Sequence, residues 1–119
     1  MNLYDLHPNP ETLKHYRKRF EVPELALVQA IEIFRKTHKR VPKLEKSIGK
    51  SPRYSYVYAE RVTHEEGFPE GEPAIATDAM LSYKYAVYII HSRFHEGEPT
   101  IAKNRRYADE YNHTFGTEL

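Results

Sequence analysis

The stretch that decides the fold is FPEGEPAIATD, residues 68–78, because it recurs as FHEGEPTIAKN at residues 94–104. Seven of the eleven positions are identical in the two stretches. A more divergent copy, VPKLEKSIGKS at 41–51, keeps three residues of the phrase, Pro42, Glu45 and Ile48. The copies begin 27 and 26 residues apart, at Val41, Phe68 and Phe94. This self-similarity at a near-constant spacing predicts a tandem structural repeat.

Each copy predicts the start of a helix at a matching position. Ser51, Asp78 and Asn104 occupy the same place in the three copies, and all are residues whose side chains cap helix N-termini. After each cap, large residues recur at i, i+4 and i+8 and predict one buried stripe. Members of this stripe are Tyr54, Tyr58, Val62, Leu81, Tyr85, Ile89, Tyr107 and Tyr111.

A second, shorter helix is predicted in each copy, with one isoleucine pointing into the core. The three isoleucines are Ile48, Ile75 and Ile101. The unit is thus a helix, a loop and a short helix of about two turns. A pair of helices this small is stable only when it stacks on a neighbouring copy, which gives the repetition its physical role.

The first 40 residues predict two further helices. Asn9 and Pro10 are a typical N-cap and first helical residue, and a second helix begins near Pro23. This second helix is apolar almost all round, so we expect it to be central and buried on several sides. The predicted fold is all-α: residues 1–40 form two N-terminal helices, residues 41–119 form about three helical repeats, and residues 1–119 form one compact domain.

Composition and charge restrict the class of protein. The chain has no cysteine and no apolar run of the roughly 20 residues that cross a bilayer, so we expect a cytoplasmic protein that does not bind membranes. Lys and Arg exceed Asp and Glu by 5 in residues 1–50, whereas acids exceed bases by 4 in residues 51–119. Such a dipole can steer a charged partner or favour head-to-tail self-association.

The repeated phrase carries a resemblance to a known family. GFPEGEPAIATDAMLSYKYA and RFHEGEPTIAKNRRYADEY resemble a short tandem repeat of uncharacterised proteins encoded by bacteriophages and some bacteria. The resemblance covers about residues 41–112. It implies a phage or prophage origin and a small helical protein, and it brings no catalytic residue or ligand with it. His95 departs from the proline of the pattern.

The paired acids Glu70, Glu72, Glu96 and Glu98 are the most regular charged feature of the repeat. Carboxylates in the first turn of a helix can cap its free N–H groups. The same acids could form an exposed row that meets a basic protein partner once per copy. General acid–base catalysis is a third alternative, although the sequence indicates no pocket for it.

The ten tyrosines fall into two groups. Five of the ten lie on the stripe and are expected in the core: Tyr54, Tyr58, Tyr85, Tyr107 and Tyr111. Tyr56 and Tyr83 fall off the stripe and are therefore predicted to form part of a protein-binding surface.

Basic residues of the N-terminal half suggest an alternative partner, nucleic acid, because Lys and Arg side chains can contact phosphates. The candidate contacts are Lys14, Arg17, Lys18, Arg19, Arg35, Lys36, Lys39 and Arg40.

No motif in the chain indicates a cofactor, a metal site or a catalytic nucleophile. His91 and His95 have a spacing of four, but no H-E-x-x-H pattern accompanies them. We therefore expect a non-enzymatic interaction protein. The resemblance to phage-encoded repeats implies that its partner is a bacterial host protein, which it inhibits or redirects. Nucleic-acid binding is the alternative, and enzymatic activity is a distant third hypothesis.

Overall fold

The computed structural model describes residues 21–119, so the helix predicted at residues 9–20 lies outside it. Residues 21–119 form seven α-helices and no strand, which confirms the all-α class. The helices are α1 (Pro23–Thr37), α2 (Pro42–Ile48), α3 (Pro52–Tyr58), α4 (Glu72–Ile75), α5 (Ala79–Lys84), α6 (Glu98–Ala102) and α7 (Arg105–Phe115). Shorter 3-10 turns lie at His64–Glu66, Pro69–Gly71 and His95–Gly97.

Helix α1 begins at Pro23, as the sequence predicts, and ends where His38 takes a left-handed backbone conformation. Its buried residues include Ala26, Leu27 and Ala30. The main contacts of α1 are with α2 and α3 of the first copy. Within residues 21–119 it therefore flanks the repeats, which corrects the expectation that it is the central helix. Its apolar Ile31, Ile33 and Phe34 are only partly buried against the core.

The three copies adopt the predicted unit, each with a short helix (α2, α4, α6) followed by a second helix (α3, α5, α7). We call this second helix, together with the π-helical turn that extends α3 and α5, the long helix. The side chains of the three predicted caps accept hydrogen bonds from backbone N–H groups three residues later: Ser51 from Tyr54 at 3.1 Å, Asp78 from Leu81 at 2.8 Å and Asn104 from Tyr107 at 3.3 Å. Ile48, Ile75 and Ile101 are all 0% exposed. These findings confirm the helix starts and the core isoleucines.

Neighbouring copies stack through an aromatic contact and a glycine contact. The ring of Phe68 packs on that of Tyr58 of the preceding copy, with centroids 4.8 Å apart, and Phe94 packs on Tyr85 at 4.9 Å. In the third copy the ring of Phe115 packs on that of Tyr111, with centroids 4.7 Å apart.

The glycines of the motif allow the close approach of the copies. A Cβ atom built on Gly71 would lie 2.4 Å from Cβ of Ser55, and one on Gly97 would lie 2.6 Å from Oγ of Ser82. Ser55 and Ser82 are themselves small, and their hydroxyls donate to the carbonyls of Ile48 and Ile75. Small residues on both sides are therefore what brings adjacent copies into contact.

The long helices depart from the prediction in one respect. After α3 and α5 the chain continues as π-helical turns, Ala59–Thr63 and Tyr85–Ile89, whereas α7 is a regular α-helix. The stripe residues Val62 and Ile89 nevertheless remain buried. At His64 and His91 the backbone then takes positive φ angles of 50° and 51°, where the chain turns towards the next copy.

Candidate functional site

Each copy contains a buried tyrosine whose hydroxyl donates a hydrogen bond to a glutamate 13 residues earlier. The bonds are Tyr58–Glu45 at 2.5 Å, Tyr85–Glu72 at 2.5 Å and Tyr111–Glu98 at 2.6 Å. The glutamate lies in the short helix, and the tyrosine lies on the long helix of the same copy. We call each pair a Tyr–Glu clasp, because it fastens the two helices of one unit together.

The clasp also holds the chain that enters the copy. The hydroxyls of Tyr85 and Tyr111 accept hydrogen bonds from the backbone N–H groups of Phe68 at 2.8 Å and Phe94 at 2.9 Å. Burial, followed by the hydrogen bond to Glu98, raises the pKa of Tyr111 to about 12. Burial is also the main cause that raises the pKa values of Tyr58 and Tyr85. All three are therefore neutral donors at physiological pH.

An arginine completes the clasp in the first and third copies. The guanidinium of Arg93 donates from Nε and Nη2 to the two carboxylate oxygens of Glu98, at 2.8 and 2.9 Å. Arg40 makes the same pair of bonds to Glu45, at 2.6 and 3.2 Å. The bond from Arg93, joined by that from Tyr111, lowers the pKa of Glu98 to about 2 despite the opposing effect of burial.

These contacts correct both structural expectations for the repeated acids. Glu72 and Glu98 accept from tyrosine hydroxyls, and neither α4 nor α6 has a side-chain cap. Glu98 is buried and Glu72 is half-buried, so they do not form an exposed row with Glu70 and Glu96, which are exposed. The physical reason is that the facing long helix supplies a phenol donor, a contact that the spacing of acids alone does not reveal.

Tyr56 and Tyr83 are half-buried and pack against the core, and so do the stripe residues Tyr54 and Tyr107. The predicted difference in exposure between these two pairs of tyrosines is therefore not found. Tyr83 packs on Tyr107 of the next copy, with ring centroids 5.7 Å apart. The pKa of each of Tyr56 and Tyr83 is raised mainly by burial, with a smaller contribution from Tyr88 in both cases. We call the group Tyr56, Tyr83, Tyr88 and Tyr107 the tyrosine face.

Tyr88 is the member of this face that the sequence reasoning missed. It is 59% exposed, the highest value for any large hydrophobic residue of residues 21–119. Its position was a usable signal, because Tyr88 follows Tyr85 by three residues and falls off the i, i+4, i+8 stripe. The π turn at Tyr85–Ile89 is part of the same stretch.

Only half of the predicted basic set falls within the described residues. Lys14, Arg17, Lys18 and Arg19 lie outside them. Arg35, Lys36 and Lys39 are exposed at the end of α1, and Lys36 pairs with Glu32 at 3.2 Å. Arg40 is bound to Glu45, so its guanidinium is not a free phosphate contact. The described part of the chain therefore brings together few of the cations that a nucleic-acid interface would use.

A cavity of about 440 Å³ lies between α1 and the turn that follows α3. Phe34, Arg40 and His64 line it, together with His38, Val62, Thr63, Glu65 and Glu66. Its lining contains charged side chains of both signs, and the guanidinium of Arg40 lies 3.9 Å from the carboxylate of Glu66. Within residues 21–119 no three histidine or acidic side chains are grouped to hold a metal ion. The lining therefore indicates no particular ligand.

The helices of residues 21–119 are all too short or too polar to cross a bilayer. No protein-family model, no curated protein and no solved structure matches the chain.

Proposed function

We propose that this protein binds another protein through the tyrosine face, without enzymatic activity of its own. The observation that carries the proposal is a set of tyrosines from neighbouring copies, in which Tyr88 is 59% exposed and Tyr83 of the second copy packs on Tyr107 of the third. Tyrosine supplies a large contact area at a low cost in side-chain entropy, and aromatic residues are enriched where proteins meet.

The repeat architecture supports this function in a second way. The Tyr–Glu clasps and the stacked Phe–Tyr pairs fix the long helices relative to one another, so the face is preorganised. A surface held on rigid helices loses less freedom when it binds than a loop does. The exposed acids Glu70 and Glu96 add charge that would suit a basic rim on the partner.

The partner we propose is a bacterial host protein, which this chain would inhibit or redirect in the host cytoplasm. This identification follows from the resemblance of the repeat to phage-encoded proteins. Nucleic acid is the second candidate partner, favoured by the exposed Arg35 and Lys39 at the end of α1.

Affinity capture from bacterial lysate, with and without nuclease, followed by mass spectrometry tests the function. The wild-type chain is compared with Tyr88→Ser and with the matched surface control Lys103→Ser. We expect a specific protein that survives nuclease, is retained by the control and is lost with Tyr88→Ser. Reconstitution of that complex from purified components then establishes direct binding.

Two results would contradict the proposal. Loss of every specific partner on nuclease treatment would favour nucleic acid. In that case binding should fall by on the order of a thousandfold between 50 and 200 mM salt if six or more phosphates are contacted. Equal capture by wild type and Tyr88→Ser would exclude the tyrosine face as the binding surface.

A further inference from the structure

The residue immediately before each copy determines whether the Tyr–Glu clasp includes an arginine. Arg40 precedes the first copy and Arg93 the third, and each binds the glutamate five residues later through both carboxylate oxygens. Gly67 precedes the second copy. The second clasp therefore has a tyrosine and a glutamate but no arginine.

Glu72 consequently differs from its two counterparts. Its Oε2 accepts the hydroxyl of Tyr85, and no described residue forms an ion pair with it. Its counterparts Glu45 and Glu98 are only 6% and 9% exposed, whereas Glu72 is half-buried. Within residues 21–119 no side chain donates a hydrogen bond to Oε1 of Glu72, the counterpart of the Glu98 oxygen that accepts from Nη2 of Arg93.

The chain cannot supply the missing cation from Gly67 itself. A Cβ atom at this position would lie 2.7 Å from the hydroxyl of Tyr85 and 3.1 Å from Cγ2 of Ile90. The φ angle of 76° is also one that side chains other than glycine rarely adopt. A cation that reaches Glu72 must therefore come from a residue other than the one at position 67, or from another molecule.

The charge around the second clasp favours such a cation. Glu96 of the next copy contributes to the raised pKa of Tyr85, after burial and the bond to Glu72, and so its carboxylate lies nearby. Glu65 and Glu66, just before Gly67, are also exposed. Among residues 21–119, the guanidinium of Arg40 lies 3.9 Å from Glu66 and is already bound to Glu45.

We propose that Glu72 binds an arginine side chain of the protein partner, whose guanidinium takes the place that Arg40 and Arg93 occupy in the other copies. The inference rests on the proposed function and names the chemistry of its partner. Arginine is preferred to lysine because the two matching sites use the planar fork of Nε and Nη2, which an ammonium group cannot reproduce.

The direct test is an NMR titration of the full chain with the peptide acetyl-Gly-Arg-Gly-amide. The peptide with citrulline in place of arginine is the neutral isosteric control. The peptide with lysine tests whether the planar guanidinium group is required. We expect saturable shifts at the Gly67 and Phe68 amides with arginine, weaker binding of lysine by about two- to fivefold, and none of citrulline. Equal shifts with citrulline, or no saturable shift at these amides, would overturn the proposal.

Two variants locate the site. Glu72→Gln keeps an acceptor for Tyr85 and should abolish the arginine-dependent shifts, whereas the exposed control Glu70→Gln should retain them. The second variant replaces HEEGF at 64–68 by HSRF, the sequence at 91–94, which supplies an arginine from within the chain. It should compete with the peptide and raise the Tm. Unchanged peptide binding in Glu72→Gln would also overturn the proposal.

The two proposals fail in distinguishable ways. If a captured partner is lost with Tyr88→Ser but binds Glu72→Gln and wild type equally, the protein-binding function holds and the arginine site does not. If the peptide binds at Glu72 and no protein partner is captured, the cation site stands without the proposed function.

Discussion

The hydroxyl of Tyr111 lies 2.6 Å from Glu98 and at the same time accepts the backbone N–H of Phe94 at 2.9 Å. One phenol thus joins the short helix, the long helix and the chain that enters the copy. The arrangement recurs in the second copy with Tyr85, Glu72 and Phe68. The repeat is therefore held together by a polar contact in its core as well as by apolar packing.

Removal of that hydroxyl should destabilise the protein. Tyr85→Phe and Tyr111→Phe keep the ring but remove the phenol donor from the carboxylate and the acceptor from a buried backbone N–H, so each should cost about 1–3 kcal/mol of unfolding free energy. Urea denaturation followed by circular dichroism measures the change. Tyr107→Phe is the matched control, since the Tyr107 hydroxyl has no recorded hydrogen bond, and it should be nearly neutral. A neutral Tyr111→Phe would contradict the role of the clasp.

The core isoleucines give a prediction for apolar packing. Ile75→Ala and Ile101→Ala each remove a side chain that is 0% exposed, and each should cost roughly 2–5 kcal/mol. Thermal melts of both variants should shift downwards by similar amounts, because the two sites are equivalent. Lys103→Ala, at an exposed position, is the control. Unchanged melting temperatures for both isoleucine variants would mean that the repeat core is wrongly identified.

Substitution of a motif glycine should destabilise the protein by overpacking, whereas the isoleucine variants leave a cavity. Gly97→Ala places a Cβ 2.6 Å from Oγ of Ser82, so adjacent copies must separate at a cost of about 1–3 kcal/mol. The double variant Ser82→Gly/Gly97→Ala removes the opposing atoms and should recover part of this loss. The coupling free energy from the four-member cycle is the measurement. Strict additivity would show that the two residues do not meet.

The Arg93–Glu98 pair predicts a pH dependence. The pKa of Glu98 falls from 4.5 to about 2 in the folded chain, so the unfolded chain binds the proton more tightly. This glutamate therefore contributes stability that is fully present above about pH 4.5 and is lost as pH falls towards 2. Melting temperatures of wild type and Glu98→Gln, recorded from pH 7 to 2.5, should converge at low pH. Glu96→Gln, which alters a neighbouring exposed acid, should not produce this convergence.

The phenol of Tyr111 predicts the opposite pH dependence, a loss of stability at alkaline pH. The pKa of Tyr111 is raised from 10.0 to about 12, so the folded chain holds this proton more tightly. Its contribution to stability is fully present below pH 10 and is lost as pH rises through 12. Tyr111→Phe should therefore show a flatter stability profile than wild type over this range. A parallel pair of curves would contradict the assignment.

The sequence by itself determined the units of this fold. The sequence shows a period of 26 to 27 residues, with isoleucines at matching positions of the copies. It also shows a capping residue at each helix start, which reflects the conformational preference of a few neighbouring residues. The helix starts at Ser51, Asp78 and Asn104 could be predicted for this reason. The off-stripe position of Tyr56 and Tyr83 was local information of the same kind.

Only the tertiary structure decided which groups meet across the units. The 13 residues between glutamate and tyrosine correspond to no helical period, so the clasp arises only once two helices pack. That packing turned Glu72 and Glu98 inward while leaving Glu70 and Glu96 at the surface. It also set Gly67 against the hydroxyl of Tyr85. The sequence could not show these contacts, because hydrogen bonds and ion pairs depend on distances in space that a spacing along the chain does not fix.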